Sequence, residues 1–598
     1  MREWPNFVDA GSVERLEAEP LENWLRGRTV PNMMLAMADT RGDAIAHRFL
    51  PSPEGPAIDQ SYAELAARMT RYAAAFAGTG DRPVVASLLP GLPEKLPLAC
   101  AAMWAGIYLP INPFLEAAAI VGMLEKTGAG LLLVEGASGV QGTAEKLDAI
   151  RAALPHVRII ICGEDTGPDR LEDWLGDKPD AAPPLPEPDD IAAYFHTGGT
   201  TGLPKIARLT HANLAFMAFL AGFGGGMRAG DVIPCGMPLF HVGGLVFGGL
   251  APFAAGASVV QLGRGGYRDR AMTEALWTIA ARESADILFA PPTIALAALE
   301  RFAPPAPPTV RHWVSSAAPL PAATHRRFTE TTGIDVKEAW GLTEASLVLT
   351  FTPPQGESRP GSVGLRLPYC DLAVVPLEGG EPEPGETGIV MARSPGLFAG
   401  YLGHGTDGLE TVPCLGDGRW LNTGDVGWFD ADGYLHLTGR AKDLILRGGH
   451  NIDPAIIEEA FGGLEEVSVA AAIGRPDRRV GELPVCYVTL KPGMGADAEA
   501  LLARAAGAID ERAAHPKAVH ILDAMPLTAV GKIDKVALRR DAAERAVREL
   551  YPHADIAART DSGGRVVIAL TPCPQDAREA LSALGLVLSN KEGEGVHV

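Results

Sequence analysis

Ten consecutive residues, His196-Thr197-Gly198-Gly199-Thr200-Thr201-Gly202-Leu203-Pro204-Lys205, carry three glycines, three threonines and one lysine. They follow directly on the apolar run 191–195. A short apolar run with aromatics reads as a buried strand, so this is a strand feeding a polar loop. Glycines let backbone N–H groups close on an anion, and threonine hydroxyls and a lysine add donors and positive charge. The loop is built to hold a polyphosphate. It is not a Walker A loop, which needs Gly-Lys-Ser/Thr, because Lys205 follows Pro204 and precedes Ile206. A glycine loop standing alone is as often a solvated turn, so its weight rests on what accompanies it.

Five further segments accompany it. Ser315-Ser316-Ala317-Ala318-Pro319-Leu320 offers small side chains against which a flat ring can lie, or simply a tight turn. Ala339-Trp340-Gly341-Leu342-Thr343-Glu344 sets an aromatic face for a purine, a hydroxyl for a phosphate and a carboxylate for magnesium within a few residues. The plainer readings are core packing for Trp340 and a helix-start acid for Glu344. Leu421-Asn422-Thr423-Gly424-Asp425 places one carboxylate after a glycine turn, suited to two ribose hydroxyls or to an ordinary Asp turn. Gly439-Arg440-Ala441-Lys442-Asp443 supplies a fixed cation or a surface ion-pair cluster. Pro526-Leu527-Thr528-Ala529-Val530-Gly531-Lys532 sets a lysine in a glycine-containing turn; alone it reads as solvated surface charge.

In this order, the six segments resemble the adenylate-forming superfamily: acyl-CoA synthetases, amino-acid adenylation domains and firefly-type luciferases. The resemblance covers roughly residues 40–540. It implies a large N-terminal domain and a small C-terminal domain that rotates between two half-reactions. In the first, a carboxylate attacks the α-phosphate of ATP, giving acyl-adenylate and pyrophosphate; in the second, a thiol displaces AMP. It further implies that Thr197, Gly198, Gly199, Thr200, Thr201, Gly202 and Lys205 hold the β- and γ-phosphates. Ala317, Ala318 and Pro319 would border adenine, with Trp340 and Gly341 against the ring where the family usually has a tyrosine. Thr343 would contact phosphate, Glu344 with Thr200 would hold Mg²⁺, and Asp425 and Arg440 would take the ribose hydroxyls. Lys532 would reach the acid carboxylate and the bridging α-phosphate oxygen. Lys442 falls at the hinge position. Arg447-Gly448-Gly449-His450-Asn451-Ile452 matches the segment that lines the pantetheine tunnel, with Gly448, Gly449 and His241 as its wall. Gly198, Ile206 and Ile456 depart from the common serine, glycine and glutamate.

Pro238-Leu239-Phe240-His241-Val242-Gly243-Gly244 matches the segment beside the substrate carboxylate. Amino-acid adenylation domains carry an aspartate at the His241 position, so a histidine there implies a simple carboxylic acid. Phe240, His241, Gly243, Gly244 and Gly248 are the expected acyl pocket. The glycines, interleaved with Leu245, Val246 and Phe247, read either as an open apolar channel or as helix packing. The expected acid is a medium- or long-chain fatty acid, then an aryl or alicyclic acid, then an acetate-sized one. No serine in a phosphopantetheine context follows, which favours free coenzyme A as acceptor. An acyl-AMP ligase that does not use CoA, a luciferase-like oxygenase and a silent adenylate-binding regulator stay open; Lys532 and Glu344, both present, weigh against the last.

The elements that must position these groups alternate from about 30 to 440 in the α/β manner, with helical runs, buried strands and Pro/Gly punctuation. After Arg440 the texture changes. Strands are expected at 467–473, 485–490 and 519–522, with an alanine-rich helix over 496–514 and a tail of strand, helix and strand within 565–588. The expected domains are 1–440 for adenylation, a hinge at 441–443, a small α+β domain at 444–540 and an extension of unknown role at 541–598. The chain has 598 residues, 47% hydrophobic and 21% charged, a globular balance. A net charge of −21 excludes nucleic acid as a natural partner. Seven scattered cysteines never form a C-x-x-C pair, so reduced thiols are expected rather than disulfides or zinc. No apolar run is long enough for a membrane span, and the charged N-terminus lacks a signal-peptide core, so a cytoplasmic location is expected. The expected partners are the acid, ATP, Mg²⁺ and CoA, with a homodimer left open.

Overall fold

The computed structural model describes residues 3–136, 143–163, 169–176, 181–197, 205–377, 380, 383, 385–403, 408–416, 418–448, 450–528, 532–561 and 565–589. Two largely parallel sheets form the body of the large domain. The nine-stranded one runs in the order Leu365–Arg366, Thr350–Phe351, Asp335–Trp340, His312–Ser315, Ile287–Ala290, Val232–Cys235, Ser258–Leu262, Ile45–Leu50, Ile58–Ser61. The six-stranded one runs Arg158–Cys162, Leu131–Glu135, Val84–Ser87, Ile107–Pro110, Ile191–His196, Ile206–Thr210. Their strands are short and buried, as parallel strands covered on both faces must be. The helix His211–Gly224 is apolar on all sides and correspondingly buried, with Phe216, Phe219 and Phe223 in the main core. Its start is fixed by a reciprocal cap: Asn213 N–H donates to Thr210 Oγ1 and Thr210 N–H donates to Asn213 Oδ1.

An antiparallel sheet of Asp371–Pro376, Gly388–Arg393, Trp420–Phe429, Leu409–Glu410 and Leu435–Arg440 completes the large domain. After the 3₁₀ turn Ala441–Asp443 the small domain begins. Its sheet pairs Val467–Asp477 with Gly481–Leu490, adds Val519–Leu522 in parallel and carries the hairpin Ile445–Arg447/His450–Ile452. The helix expected over 496–514 is shorter, Ala498–Gly507, followed by a 3₁₀ turn at Arg512–Ala514. Gly507 weakens its end, and Pro516 disfavours helix in the residue before it.

The tail folds. Asp555–Thr560, Val566–Thr571 and Val587–Leu588 form a three-stranded sheet, with the helix Ala577–Ser582 between the last two. It packs on the helix Lys535–Leu550, which itself packs on Val467–Asp477. That helix crosses residue 540, so the expected boundary falls inside an element. All seven cysteines are free, and five are buried. Among the described residues, no helix is long and apolar enough to cross a membrane.

Candidate active site

Three of the singled-out segments leave the carboxyl ends of parallel strands in the nine-stranded sheet. Phe240 and His241 follow Val232–Cys235, Ala317–Pro319 follow His312–Ser315, and Gly341–Glu344 follow Asp335–Trp340. In open α/β sheets this edge is where ligands bind. Ala317 holds a left-handed backbone, φ 76°, a strain that a non-glycine residue keeps only when its surroundings impose it. At Gly341 a side chain would collide with the carbonyl oxygen of Leu347, so the residue type there is set by close approach.

Asp425 and Arg440 face one another across the antiparallel pair of Trp420–Phe429 and Leu435–Arg440, and Arg440 Nε lies 2.9 Å from Asp425 Oδ1. Trp340 Nε1–H donates to Asp425 Oδ2 at 2.8 Å. The indole is itself buried, so in this arrangement its polar edge serves the carboxylate. Burial pushes the Asp425 pKa up, while Arg440, Trp340 and Lys532 pull it back.

The phosphate loop is closed at its base as a hairpin. Ile191–His196 pairs antiparallel with Ile206–Thr210, and Thr197 N–H donates to Lys205 O at 2.9 Å. Gly198, Gly199, Thr200, Thr201 and Gly202 lie outside the described residues, as does Gly449. Lys205 lies with its ammonium 4.9 Å from the centroid of the Tyr401 ring. Tyr401 O–H donates to Glu344 Oε1 at 2.6 Å. Thr343 and Glu344 sit in the 3₁₀ turn Thr343–Ala345.

His241 is half-buried, and Gly243 N–H donates to its Nδ1 at 3.1 Å, so the ring proton is on Nε2. Burial, then the nearby Lys532 ammonium and His196, push its pKa down to about 3, so it stays neutral. His196 stacks on Phe240 at 6.4 Å and accepts the Asn112 N–H through Nε2. Lys532, from the small domain, is half-buried. Desolvation first, then Arg440, lower its pKa to about 8, against the pull of Asp425. The Lys532 charge is thus felt both by His241 and by the Asp425–Arg440 pair.

Gly243–Leu250 is a π-helix, wholly buried. At Gly244 and Gly248 the space a side chain would need is occupied by Pro238 and Cys235, so these glycines serve close packing. Gly243 lies against the His241 ring. Lys442 is exposed in the 3₁₀ turn, and its neighbour Asp443 pairs with Arg539 at 2.6 Å. Gly448 N–H donates to Val480 O at 2.8 Å, so its hairpin packs within the small domain.

Residues 36–402 match the AMP-binding enzyme family, and residues 456–532 match its C-terminal domain. The chain belongs to the AMP-binding enzyme family. It is 33% identical over 570 residues to a marinolic acid–CoA ligase of Pseudoalteromonas sp. (strain SANK 73390), covering 91% of this chain and 86% of the relative. It is 31% identical over 512 residues to an indoleacetate–CoA ligase of Aromatoleum aromaticum (strain DSM 19018 / LMG 30748 / EbN1), covering 83% and 95%. The crystal structure of ATP-bound MatB from Rhodopseudomonas palustris superposes with a TM-score of 0.76 at 27% identity, covering 88% of this chain and all of that one. This AMP-binding enzyme is an acid–thiol ligase, a class that uses ATP, Mg²⁺ and coenzyme A.

Two members of the site carried no signal in the family motifs. Tyr401 follows the left-handed Gly400 outside any of the six segments, and His196 opens the loop segment without a role of its own. Only the fold brings Tyr401 to Glu344. Magnesium fits the donor set here. Among the described residues no cluster of three or more His, Cys, Asp or Glu side chains offers a dedicated metal cage. Mg²⁺ is characteristically held by one or two carboxylates together with substrate phosphates, and Glu344 keeps Oε2 for it after Tyr401 takes Oε1.

Proposed function

We propose that this enzyme activates an apolar carboxylic acid as acyl-AMP and transfers the acyl group to coenzyme A. The observation that carries the reading is the place of Lys532. A small-domain ammonium whose charge is coupled to Asp425, Arg440 and His241 is the arrangement that adenylation needs. Asp425 orients the ribose through its hydroxyls, with Trp340 and Arg440 fixing the carboxylate. Lys532 stabilises the charge that builds between the attacking carboxylate and the α-phosphate, in a cleft where a dipole or charge acts more strongly than in water. Lys205 and the loop hold the distal phosphates. Glu344 and Thr200 would hold the magnesium ion, whose charge would offset that of the departing pyrophosphate.

The acid is apolar because the group beside its carboxylate, His241, is a neutral imidazole between Phe240 and the buried 243–250 segment. It offers no anion for a substrate ammonium. A medium- or long-chain fatty acid ranks first and an aryl or alicyclic acid second. The relatives named above are ligases of marinolic acid and of indoleacetate, so they support a CoA ligase of a carboxylic acid and leave this order to the substrate test. Rotation at Lys442 would exchange the Lys532 turn for the Gly448–Gly449 hairpin and open a path for the thiol past His241.

The test is pyrophosphate release by purified protein against graded fatty, aromatic, alicyclic, amino and short polar acids, with AMP release followed with and without CoA. Release with apolar acids and a CoA-dependent second step is the expected result. Release only with amino or acetate-sized acids would overturn the substrate reading. AMP release indifferent to CoA would make the enzyme an acyl-AMP ligase.

A further inference from the structure

Segment 398–402 ties together two parts of the site that are far apart in sequence. Its backbone runs antiparallel to Ile206–Thr210, the strand leaving the phosphate loop. Ala399 N–H donates to Arg208 O at 2.8 Å, Arg208 N–H to Gly400 O at 3.1 Å and Leu402 N–H to Ile206 O at 2.8 Å. The Arg208 guanidinium also donates to Ala399 O. At the other end, Phe398 N–H donates to Glu344 O at 2.9 Å, gripping the turn that carries the carboxylate. Tyr401 completes the tie from the middle. Its hydroxyl donates to Glu344 Oε1 at 2.6 Å, its ring lies under the Lys205 ammonium, and Phe398 packs edge-on against it at 4.8 Å.

A glutamate on a surface turn samples several rotamers, and each must be given up to bind a cation. A short hydrogen bond to one carboxylate oxygen removes that freedom in advance while leaving the other oxygen available. The phenol suits this role, because its hydroxyl donates to the carboxylate while its ring is held by Phe398.

We propose that Tyr401 is a positioning residue for Mg-ATP, holding Glu344 through Oε1 and docking Lys205 on its ring, so that the magnesium carboxylate and the phosphate cation are set as one unit. This rests on the reading of Glu344 as the magnesium ligand. Tyr401→Phe isolates the hydroxyl, because it keeps the ring, the Phe398 contact and the Lys205 platform. Tyr401→Leu removes the platform as well.

Two readouts are needed: the Mg²⁺ concentration for half-maximal pyrophosphate release, and the rise in Tm given by Mg-ATP compared with ATP in EDTA. Tyr401→Phe should raise the Mg²⁺ half-saturation by roughly tenfold, the scale of one hydrogen bond to a charged group. It should shrink the Mg-ATP shift and leave the ligand-free Tm and the ATP–EDTA shift at parental values. Tyr401→Leu should weaken the ATP–EDTA shift too. In a Glu344→Gln background, Tyr401→Phe should add little, since its partner is gone. Parental magnesium dependence in Tyr401→Phe, or effects that simply add to those of Glu344→Gln, would overturn the proposal. A Glu344→Gln enzyme with parental magnesium dependence would overturn the assignment of Glu344, and the proposal with it.

Discussion

On the proposed function Lys532 acts as a cation, and its surroundings make that charge conditional. With burial and Arg440 pulling its pKa to about 8, the free enzyme carries the ammonium below that pH and loses it above. The kcat/KM for ATP in pyrophosphate release should therefore be level up to about pH 8 and fall beyond it. Lys532→Arg, whose guanidinium does not titrate in this range, should lose that alkaline limb even if its rate is lower. Lys532→Ala should cost about a hundredfold or more in adenylation, the usual scale for removing a group aimed at developing charge. Thioester formation from pre-made acyl-AMP should persist; equal loss in both half-reactions at parental Tm would remove Lys532 from its role. Trp340→Phe tests the other end of the cleft. It keeps a ring but leaves Asp425 without its indole donor, so the KM for ATP should rise several-fold while the KM for the acid holds. What the sequence revealed here was residue type in order: hydroxyls and a lysine on a loop, a carboxylate after a glycine turn, a late lysine. It did not reveal that the Trp340 ring turns its N–H to Asp425, nor that Tyr401 reaches Glu344. Those are contacts between segments 85 and 57 residues apart, and no local period encodes them.

The hinge and the first helix of the small domain depend on backbone more than on side-chain chemistry. Ala441–Asp443 is a single 3₁₀ turn between a large-domain strand and the small-domain hairpin, with Arg539 donating to Asp443 Oδ1 and to Lys442 O. Lys442→Pro fixes φ and deletes an N–H there. If rotation passes through this residue, first-turnover pyrophosphate release should survive and CoA-thioester formation should fail; normal acyl-CoA synthesis by a mutant of parental Tm would place the pivot elsewhere. Beside it, Asp453 caps the helix Pro454–Gly462 by accepting the Ala455 N–H, yet burial first and then Glu458 raise its pKa to about 7. The folded state therefore holds a proton that the unfolded chain releases near pH 4, so this group costs stability as pH rises from about 4 to 7. Asp453→Asn keeps a good cap and removes the charge. Its Tm should exceed the parent's at pH 8 and match it at pH 4; no gain at pH 8 would show the carboxylate is compensated there. Elements of this kind were only partly legible. The strand at 519–522 appears at its expected bounds, with β-branched Val519 and Ile521 inside it and Pro516 and Asp523 close on either side. The glycines of 243–250 misled toward an open channel, because a glycine marks missing Cβ space equally whether a ligand or a neighbour such as Pro238 fills it.

Across the whole molecule, the net charge of −21 opposes ATP and CoA, so on the proposed reading their binding rests on a few cations gathered from separate parts of the chain: Lys205, Arg440 and Lys532. The small domain must therefore be held firmly enough to deliver its share, and the helix Lys535–Leu550 begins three residues after Lys532. One face of that helix, Leu538 and Ala542, packs on Ile473, Val485 and Tyr487; the other, Ala543 and Val547, packs on Ile568, Ala577 and Leu581 of the tail. Tyr487 O–H also donates to Asp541 at 2.6 Å. The family resemblance stops near 540 and set the expected boundary there, whereas packing makes the helix part of both units. Two truncations separate these views. Ending the chain after Leu550 bares Ala543 and Val547 but leaves the inner face seated, so Tm should fall while adenylation at 25 °C stays within about twofold, the local apolar loss being surface exposure rather than a cavity in the site. Ending it after Arg540 removes most of the helix and the Tyr487–Asp541 bond, strips cover from Ile473 and Val485, and should leave Lys532 unsupported, with adenylation reduced to the level of Lys532→Ala. If the shorter chain adenylates as well as the longer one, the helix is not what holds Lys532 in the cleft, and the small domain is complete without it.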